Sequence, residues 1–207
     1  MRKLMLLSVG VMCAVILSGC GRDARITAIN ETKEPAVLFN YGNSMRMPVS
    51  FPVMLNDQGK EFSDKGPVMF SSAINAKQLE ALVIVGLLEK SQEKLKYKKL
   101  LSKEKEVLVH KYSLTELGQK YYAKHNFQFG TYAAKEIITA TEPANLFGRV
   151  VMEVQFIQEV KDVAPWATSP SLAKIFPALE IISTPKKSKA LLVKTDKGWV
   201  HEKSFSL

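Results

Sequence analysis

The three histidines, His110, His125 and His201, are the side chains best suited to proton transfer or metal binding near neutral pH. No pair of them has the His-x-x-x-His or His-Glu-x-x-His spacing that places two metal ligands on one helix face. The chain also has no glycine-rich phosphate loop. The sequence therefore predicts no metal site and no cofactor.

Nucleophiles and paired carboxylates are the next candidates for catalysis. The chain has no Gly-x-Ser-x-Gly, and Ser171 with Lys174 matches Ser-x-x-Lys without the companion motifs of enzymes that use it. We interpret Lys174 as a residue on the solvated face of a short helix. Glu153 and Glu159 lie roughly 20 Å apart along a predicted strand, which is too far for a glycosidase pair. We predict no catalytic residue; the alternative is a hydrolase site assembled only by the fold.

The cysteines indicate a different kind of chemistry. Cys13 lies in an apolar run, Leu4–Leu17, that follows Arg2 and Lys3. This run has 14 residues, fewer than the about 20 that span a bilayer, and is typical of a signal peptide. Removal of the run leaves Cys20 as the only cysteine, so no intramolecular disulfide can form.

A short motif, Leu17-Ser18-Gly19-Cys20, ends the apolar run. It resembles the lipobox of bacterial lipoproteins, in which two small residues precede a cysteine whose thiol accepts a diacylglyceryl group. The resemblance implies a signal peptide at 1–19 and lipid attachment at Cys20, and a three-chain anchor holds a protein on a membrane almost permanently. An aspartate after the cysteine favours inner-membrane retention, so Gly21 implies the outer membrane, facing the periplasm. The alternative is a conventional signal peptide with a chance cysteine.

The positive charge of the chain is the next guide to partners. The formal net charge falls from +9 to +7 when the signal peptide removes Arg2 and Lys3. Lysines concentrate in residues 89–106, among several glutamates, and again in 186–189. Such patches could contact anionic lipid headgroups or an anionic envelope polymer. Lysine outnumbers arginine, the residue favoured for bidentate phosphate contacts, and we therefore interpret both clusters as solvated surface.

The middle of the chain carries a second, partial resemblance. It rests on Leu79–Lys90 (LEALVIVGLLEK), a charged hairpin, and Tyr112–Tyr122 (YSLTELGQKYY). These resemble the second half of winged-helix domains, where a helix ending in a Gly-Leu-Leu corner leads to a wing that closes on Y-x-L-T-x-x-G-x-x-Y. The two preceding helices of a complete domain are missing. A winged-helix-like subdomain and an ordinary helix, hairpin and helix scaffold are the two alternatives.

The regions on either side of the middle part are predicted to form a tether and β-structure. Residues 20–70 are rich in Pro and Gly and are predicted to form a tether with short strands and no helix. The C-terminal signals are two strands, a short helix and a hairpin, at Tyr132–Thr141, Arg149–Val160, Ser169-Pro170 and Asp196-Lys197-Gly198. We therefore predict an α+β fold. A helical, winged-helix-like middle part at 71–130 would precede an antiparallel β-sheet with a short helix at 131–207.

These features predict a membrane-anchored envelope lipoprotein that binds or scaffolds and does not catalyse. Its partners would be the membrane, through the lipid on Cys20, and another envelope protein or an anionic envelope polymer. An exported chain has no genome to read, so no nucleic-acid partner is expected. A winged-helix nucleic-acid-binding protein is the alternative if the export signal is misread.

Overall fold

The computed structural model describes residues 23–41, 47–98 and 103–204. The molecule is mostly β, with two curled antiparallel sheets. The predicted α+β class with a helical, winged-helix-like middle part is therefore wrong, and the fold is β-rich. Between residues 71 and 130 the described chain has two short helices, and most of the rest of that region is strand.

Twelve strands and four α-helices lie in the described part of the chain. The strands are β1 (Pro35–Val37), β2 (Val53–Leu55), β3 (Glu61–Ser63), β4 (Gly66–Pro67), β5 (Leu88–Tyr97), β6 (Lys105–Leu114), β7 (Tyr122–Ala123), β8 (Asn126–Ala140), β9 (Ala144–Leu146), β10 (Arg149–Lys161), β11 (Lys186–Thr195) and β12 (Gly198–His201). The helices are α1 (Ala24–Asn30), α2 (Ala76–Ile84), α3 (Glu116–Tyr121) and α4 (Pro170–Ala173). Short 3₁₀ helices occupy Pro165–Thr168, Pro177–Ile182 and Glu202–Ser204.

The strands form a large and a small sheet. The large sheet has the order β1-β8-β10-β11-β12, with β7 on β8 and β9 on β10, and the small sheet has the order β4-β3-β2-β6-β5. The C-terminal strands and the final hairpin predicted from the sequence are present as β8, β10, β11 and β12. The first strand, β1, joins this C-terminal sheet by pairing with β8.

The lysine-rich stretch that follows α2 forms strand β5 and does not continue the helix. Gly86 adopts φ +75° directly after α2, and the helical run ends there. In β5, the half-buried Glu93, Leu95 and Tyr97 alternate with exposed residues. This two-residue period was the signal for a strand, but the dense charge concealed it.

A helix that the sequence did not predict, α1, precedes the first strand. Asp23 caps it by accepting a hydrogen bond from the Arg25 N–H at 2.9 Å. Ala28 and Ile29 are buried against the large sheet. The Asn30 amide bonds both backbone groups of Ala134, at 2.7 and 3.3 Å. This contact fixes the end of α1 at β8, and the helix packs across one face of the large sheet, where it also contacts β11 and β12.

One main core joins the two sheets. It contains side chains from α2 and the small sheet, such as Leu79 and Tyr112, together with Phe127 and Phe129 of β8. Trp166 packs edge-on against Phe127, with ring centroids 6.3 Å apart. Residues that are distant in the chain therefore share one apolar interior.

A tight corner is formed by residues 86–88 and 114–118. It brings together the two sequence segments that resemble part of a winged-helix domain. The Thr115 hydroxyl donates to the Gly86 carbonyl at 2.6 Å and accepts from the Gly118 N–H at 3.0 Å. The Thr115 N–H donates to the Leu87 carbonyl at 3.2 Å. Thr115 thus caps α3 and ties it to the end of α2.

Candidate functional site

A polar cavity of about 290 Å³, which we call the His201 cavity, lies between α1 and the large sheet. Its walls combine a few apolar side chains with both charge signs. The lining residues are Ile29, Thr32, Glu34, Tyr132, Ala133, Phe156, Gln158, Ser188, Lys189, His201, Glu202 and Lys203. The cavity is large enough for a small polar molecule or several waters.

Ion pairs hold the charged groups of this cavity. Lys203 Nζ contacts both Glu34 carboxylate oxygens, at 2.7 and 2.8 Å, and so ties the segment after β12 to the segment after α1. Lys189 contacts Glu153 at 2.9 Å. Because these cations are already paired with carboxylates, the cavity is not a bare anion site.

His201 is the buried titratable group of this cavity. Its side chain is only 6% exposed, and its Nδ1 accepts the Lys203 N–H at 3.1 Å. Burial, followed by the nearby Lys203 cation, lowers the pKa of His201 below its ordinary value. The neutral ring therefore carries its proton on Nε2. This nitrogen can donate a hydrogen bond but cannot accept a proton.

The other two histidines lie elsewhere and serve local contacts. His110 Nε2 lies 3.0 Å from Asp57 Oδ1, and His125 Nδ1 lies 3.0 Å from the Ser50 hydroxyl. Within the described ranges no three His, Cys, Asp or Glu side chains are grouped as metal ligands. The fold does not bring the three histidines together.

The remaining catalytic candidates are also separated. The Ser171 hydroxyl contacts that of Ser169 at 2.9 Å, while Lys174 is exposed at the end of α4. Glu153 pairs with Lys189, and Glu159 lies 3.9 Å from Lys161. These contacts are those of surface residues.

The lysine-rich hairpin β5–β6 presents charges of both signs. Lys90 pairs with Glu80 at 2.6 Å, Lys94 with Glu106 at 3.3 Å and Lys111 with Glu93 at 3.3 Å. Exposed pairs of this kind contribute little to stability. They do reduce the positive potential that an anionic polymer would meet.

An exposed apolar patch, the Met69–Phe70 surface, follows β4. We define it as Met47, Met69 and Phe70 with the depressions of about 410 and 610 Å³ on either side. Met69 is 87% exposed and Phe70 64% exposed. No sequence motif predicted this surface, although two adjacent large apolar residues in a Pro- and Gly-rich segment are a signal that could have indicated it.

The backbone under this surface is fixed from two sides. The Glu61 carboxylate accepts hydrogen bonds from the Ser72 N–H at 2.7 Å and the Ser72 hydroxyl at 2.9 Å. The Ala73 N–H donates to the Met47 carbonyl at 3.0 Å. The apolar side chains are therefore held outward by an ordered segment.

The predicted lipid attachment residue, Cys20, and the rest of the signal segment lie outside the described residues. In the part of the chain that is described, no helix has the length and apolar character needed to cross a membrane.

No family model, no curated protein and no solved structure matches this chain.

Proposed function

We propose that this protein is a lipid-anchored component of the bacterial envelope that binds another envelope protein through its Met69–Phe70 surface. The anchor part of the proposal is supported by the lipobox-like tetrad ending at Cys20. The binding part is carried by one observation, the outward display of Met69 and Phe70 on a hydrogen-bonded segment. Ordered apolar side chains facing water favour a partner that covers them.

The surroundings of this surface suit a protein partner. Methionine and aromatic residues are enriched in protein interfaces, usually within a polar rim. Here Ser71, Asn75 and Lys77 line the adjoining depression and supply such a rim. We therefore expect an apolar segment of the partner to lie over Met69 and Phe70.

The His201 cavity supports the alternative of an envelope hydrolase, because it holds a buried histidine near Glu34 and Ser188. We favour binding because Nδ1 of His201 accepts a backbone N–H and Glu34 is paired with Lys203. Ester, peptide and glycan substrates should therefore not be turned over. Robust turnover that is lost in His201→Gln would reverse this preference.

The anchor is tested by labelled palmitate in cells. Wild-type protein should incorporate the label, and Cys20→Ala should lose it and accumulate as precursor. Cys13→Ala is the matched control, because it removes a thiol from the signal segment and should leave labelling intact. Unlabelled, fully soluble wild-type protein would refute the anchor.

The binding surface is tested by a photo-crosslinking amino acid placed at Met69 in living cells. We expect one discrete adduct with an envelope protein, which should disappear when Phe70→Asp is added. The control position is Ile84, which is also exposed but lies on α2. Equal adducts from both positions, or none from Met69, would contradict the proposal.

A further inference from the structure

The β9–β10 hairpin carries a second exposed apolar group, which we call the hairpin tip: Leu146, Phe147, Arg149 and Val150 around the turn. Phe147 is 96% exposed, the highest value among the large apolar residues that are described. Leu146 and Val150 are also exposed. The tip is convex, and a Cβ added to its Gly148 would meet nothing within 4 Å.

The turn conformation is unfavourable for a residue as bulky as Phe147. Leu146 pairs with Arg149, so Phe147 and Gly148 form a two-residue loop, and their φ values are +49° and +78°. Turns with two positive φ angles favour Asn-Gly, and a bulky residue is strained in that region. The chain thus keeps an aromatic ring where it is both strained and solvated, which points to a contact outside the molecule.

The position of α1 relates this tip to the N-terminal segment. Asn30 bonds Ala134, and the Tyr132 N–H donates to the Glu34 carbonyl at 2.8 Å, so the chain after α1 runs antiparallel to β8. α1 also contacts β12, which pairs with the Leu192–Thr195 end of β11, so upstream of Asn30 the helix crosses the sheet face toward that end. Its first residues point to the end of the large sheet that carries the β9–β10 hairpin.

The length of the connecting backbone limits where the anchor can lie. Cys20 is three residues before Asp23, and three residues span at most about 11 Å. Ala140 pairs with Val154, and β10 begins five residues earlier at Arg149. The hairpin thus projects roughly 17 Å beyond the end of β8. With the lipid proposed above on Cys20, so short a connection brings the bilayer to the end of the large sheet from which this tip projects.

We propose that the hairpin tip inserts Leu146 and Phe147 into the interface of the bilayer that holds Cys20. The proposal rests on the lipid anchoring proposed above. Insertion removes the exposed ring from water, as for other apolar side chains at membrane interfaces. The inserted tip and the lipid would form two attachment points and fix the orientation of the molecule on the membrane.

The charges near the tip suit phospholipid headgroups. Arg149 lies in the hairpin, and Lys194 and Lys197 belong to the neighbouring β11–β12 hairpin at the same end of the sheet. Asp196 and Glu142 are the nearby acids, so the excess of positive charge is small. We therefore expect weak dependence on anionic lipid, with the apolar side chains making the main contribution.

The mature chain suits a spin-label test, because a lipidated Cys20 leaves no free thiol. Full-length lipidated Phe147→Cys carries a nitroxide in vesicles of phosphatidylethanolamine and phosphatidylglycerol. We expect the probe to be accessible to oxygen and several-fold protected from a water-soluble nickel complex. Met69→Cys is the control and should show the reverse. Equal nickel accessibility at both positions would overturn the proposal.

Two further measurements separate the anchor from the tip. Wild-type protein should take up no nitroxide; labelling at Cys20 would show that the anchor has failed, and the tip proposal would fail with it. A probe at Leu146→Cys should be protected when Phe147 is present and become exposed with Phe147→Asn. Unchanged protection in the Asn variant would show that Phe147 does not insert.

Discussion

Gly118 at the tight corner and Gly148 at the hairpin tip show two opposite reasons for a glycine. A Cβ on Gly118 would fall far inside van der Waals contact with the Leu87 carbonyl, whereas one on Gly148 would meet nothing within 4 Å. Gly148 is instead needed for its φ of +78°. The corner is specified by close packing, and the tip by turn geometry that leaves its side chains in solvent. Residues that determine the fold and residues available for contacts are thus separated in the molecule.

The largest effect is expected from Gly118→Ala. Because the obstructing atoms are backbone, α3 or Leu87 must move, and we expect a loss of about 3 kcal/mol or more of unfolding free energy. Gly148→Ala is the matched control and should cost about 1 kcal/mol through its positive φ. Denaturant unfolding of both variants measures the difference. Similar losses would remove the distinction between corner and tip.

Tyr112→Phe probes the corner side of the comparison with a smaller change. The buried Tyr112 hydroxyl donates to Glu80 at 2.7 Å, and Lys90 contacts the same carboxylate oxygen at 2.6 Å. We expect a loss of about 1.5 kcal/mol, because a hydrogen bond to a charged group disappears while the ion pair stays.

The Glu80 carboxyl offers a pH test of the same contact. Lys90, and then Tyr112, lower the pKa of the Glu80 carboxyl below its ordinary value of 4.5. The stability that these contacts contribute should be fully present above pH 4.5 and be lost as the pH falls through the lower folded pKa. The difference in unfolding free energy between wild type and Glu80→Gln should shrink as the pH falls through this range. An acid-independent difference would contradict this prediction.

Phe147→Asn tests the tip side and should change stability in the other direction. Asparagine tolerates a positive φ better than phenylalanine, and the exposed ring makes little internal packing. We expect a gain of about 1 kcal/mol in unfolding free energy in detergent solution. A loss of stability would mean that Phe147 supports the fold after all.

The smallest effect is expected from His201, which is the last residue of β12 and pairs with Leu192 of β11. Its folded pKa is lowered by burial, so the unfolded chain binds the proton more readily. Stability should therefore decline as pH falls below the ordinary value of 6.5, until the folded pKa is reached. Thermal unfolding of His201→Gln should lack this component. An identical decline in the variant would assign it to other groups.

The sequence alone determined several local features. The alternation in β10, the turn at Asp196-Lys197-Gly198 and the start of α4 after Ser169 depend on neighbours a few residues away, and each lies where it was predicted. The lipobox-like motif at Cys20 is equally local, and lipidation there stays a prediction.

Only the tertiary structure decided the rest. The β5 strand acquires its conformation by pairing with β6 along ten residues, and α1 is held by Asn30 on Ala134, 104 residues away. The His201 cavity and the position of the hairpin tip relative to Asp23 likewise depend on such distant pairings. Local residue preferences do not encode which strands meet, because strand stability comes mainly from cross-strand and packing partners. Residues 88–97 thus form a strand, despite their dense charge, because they pair with β6.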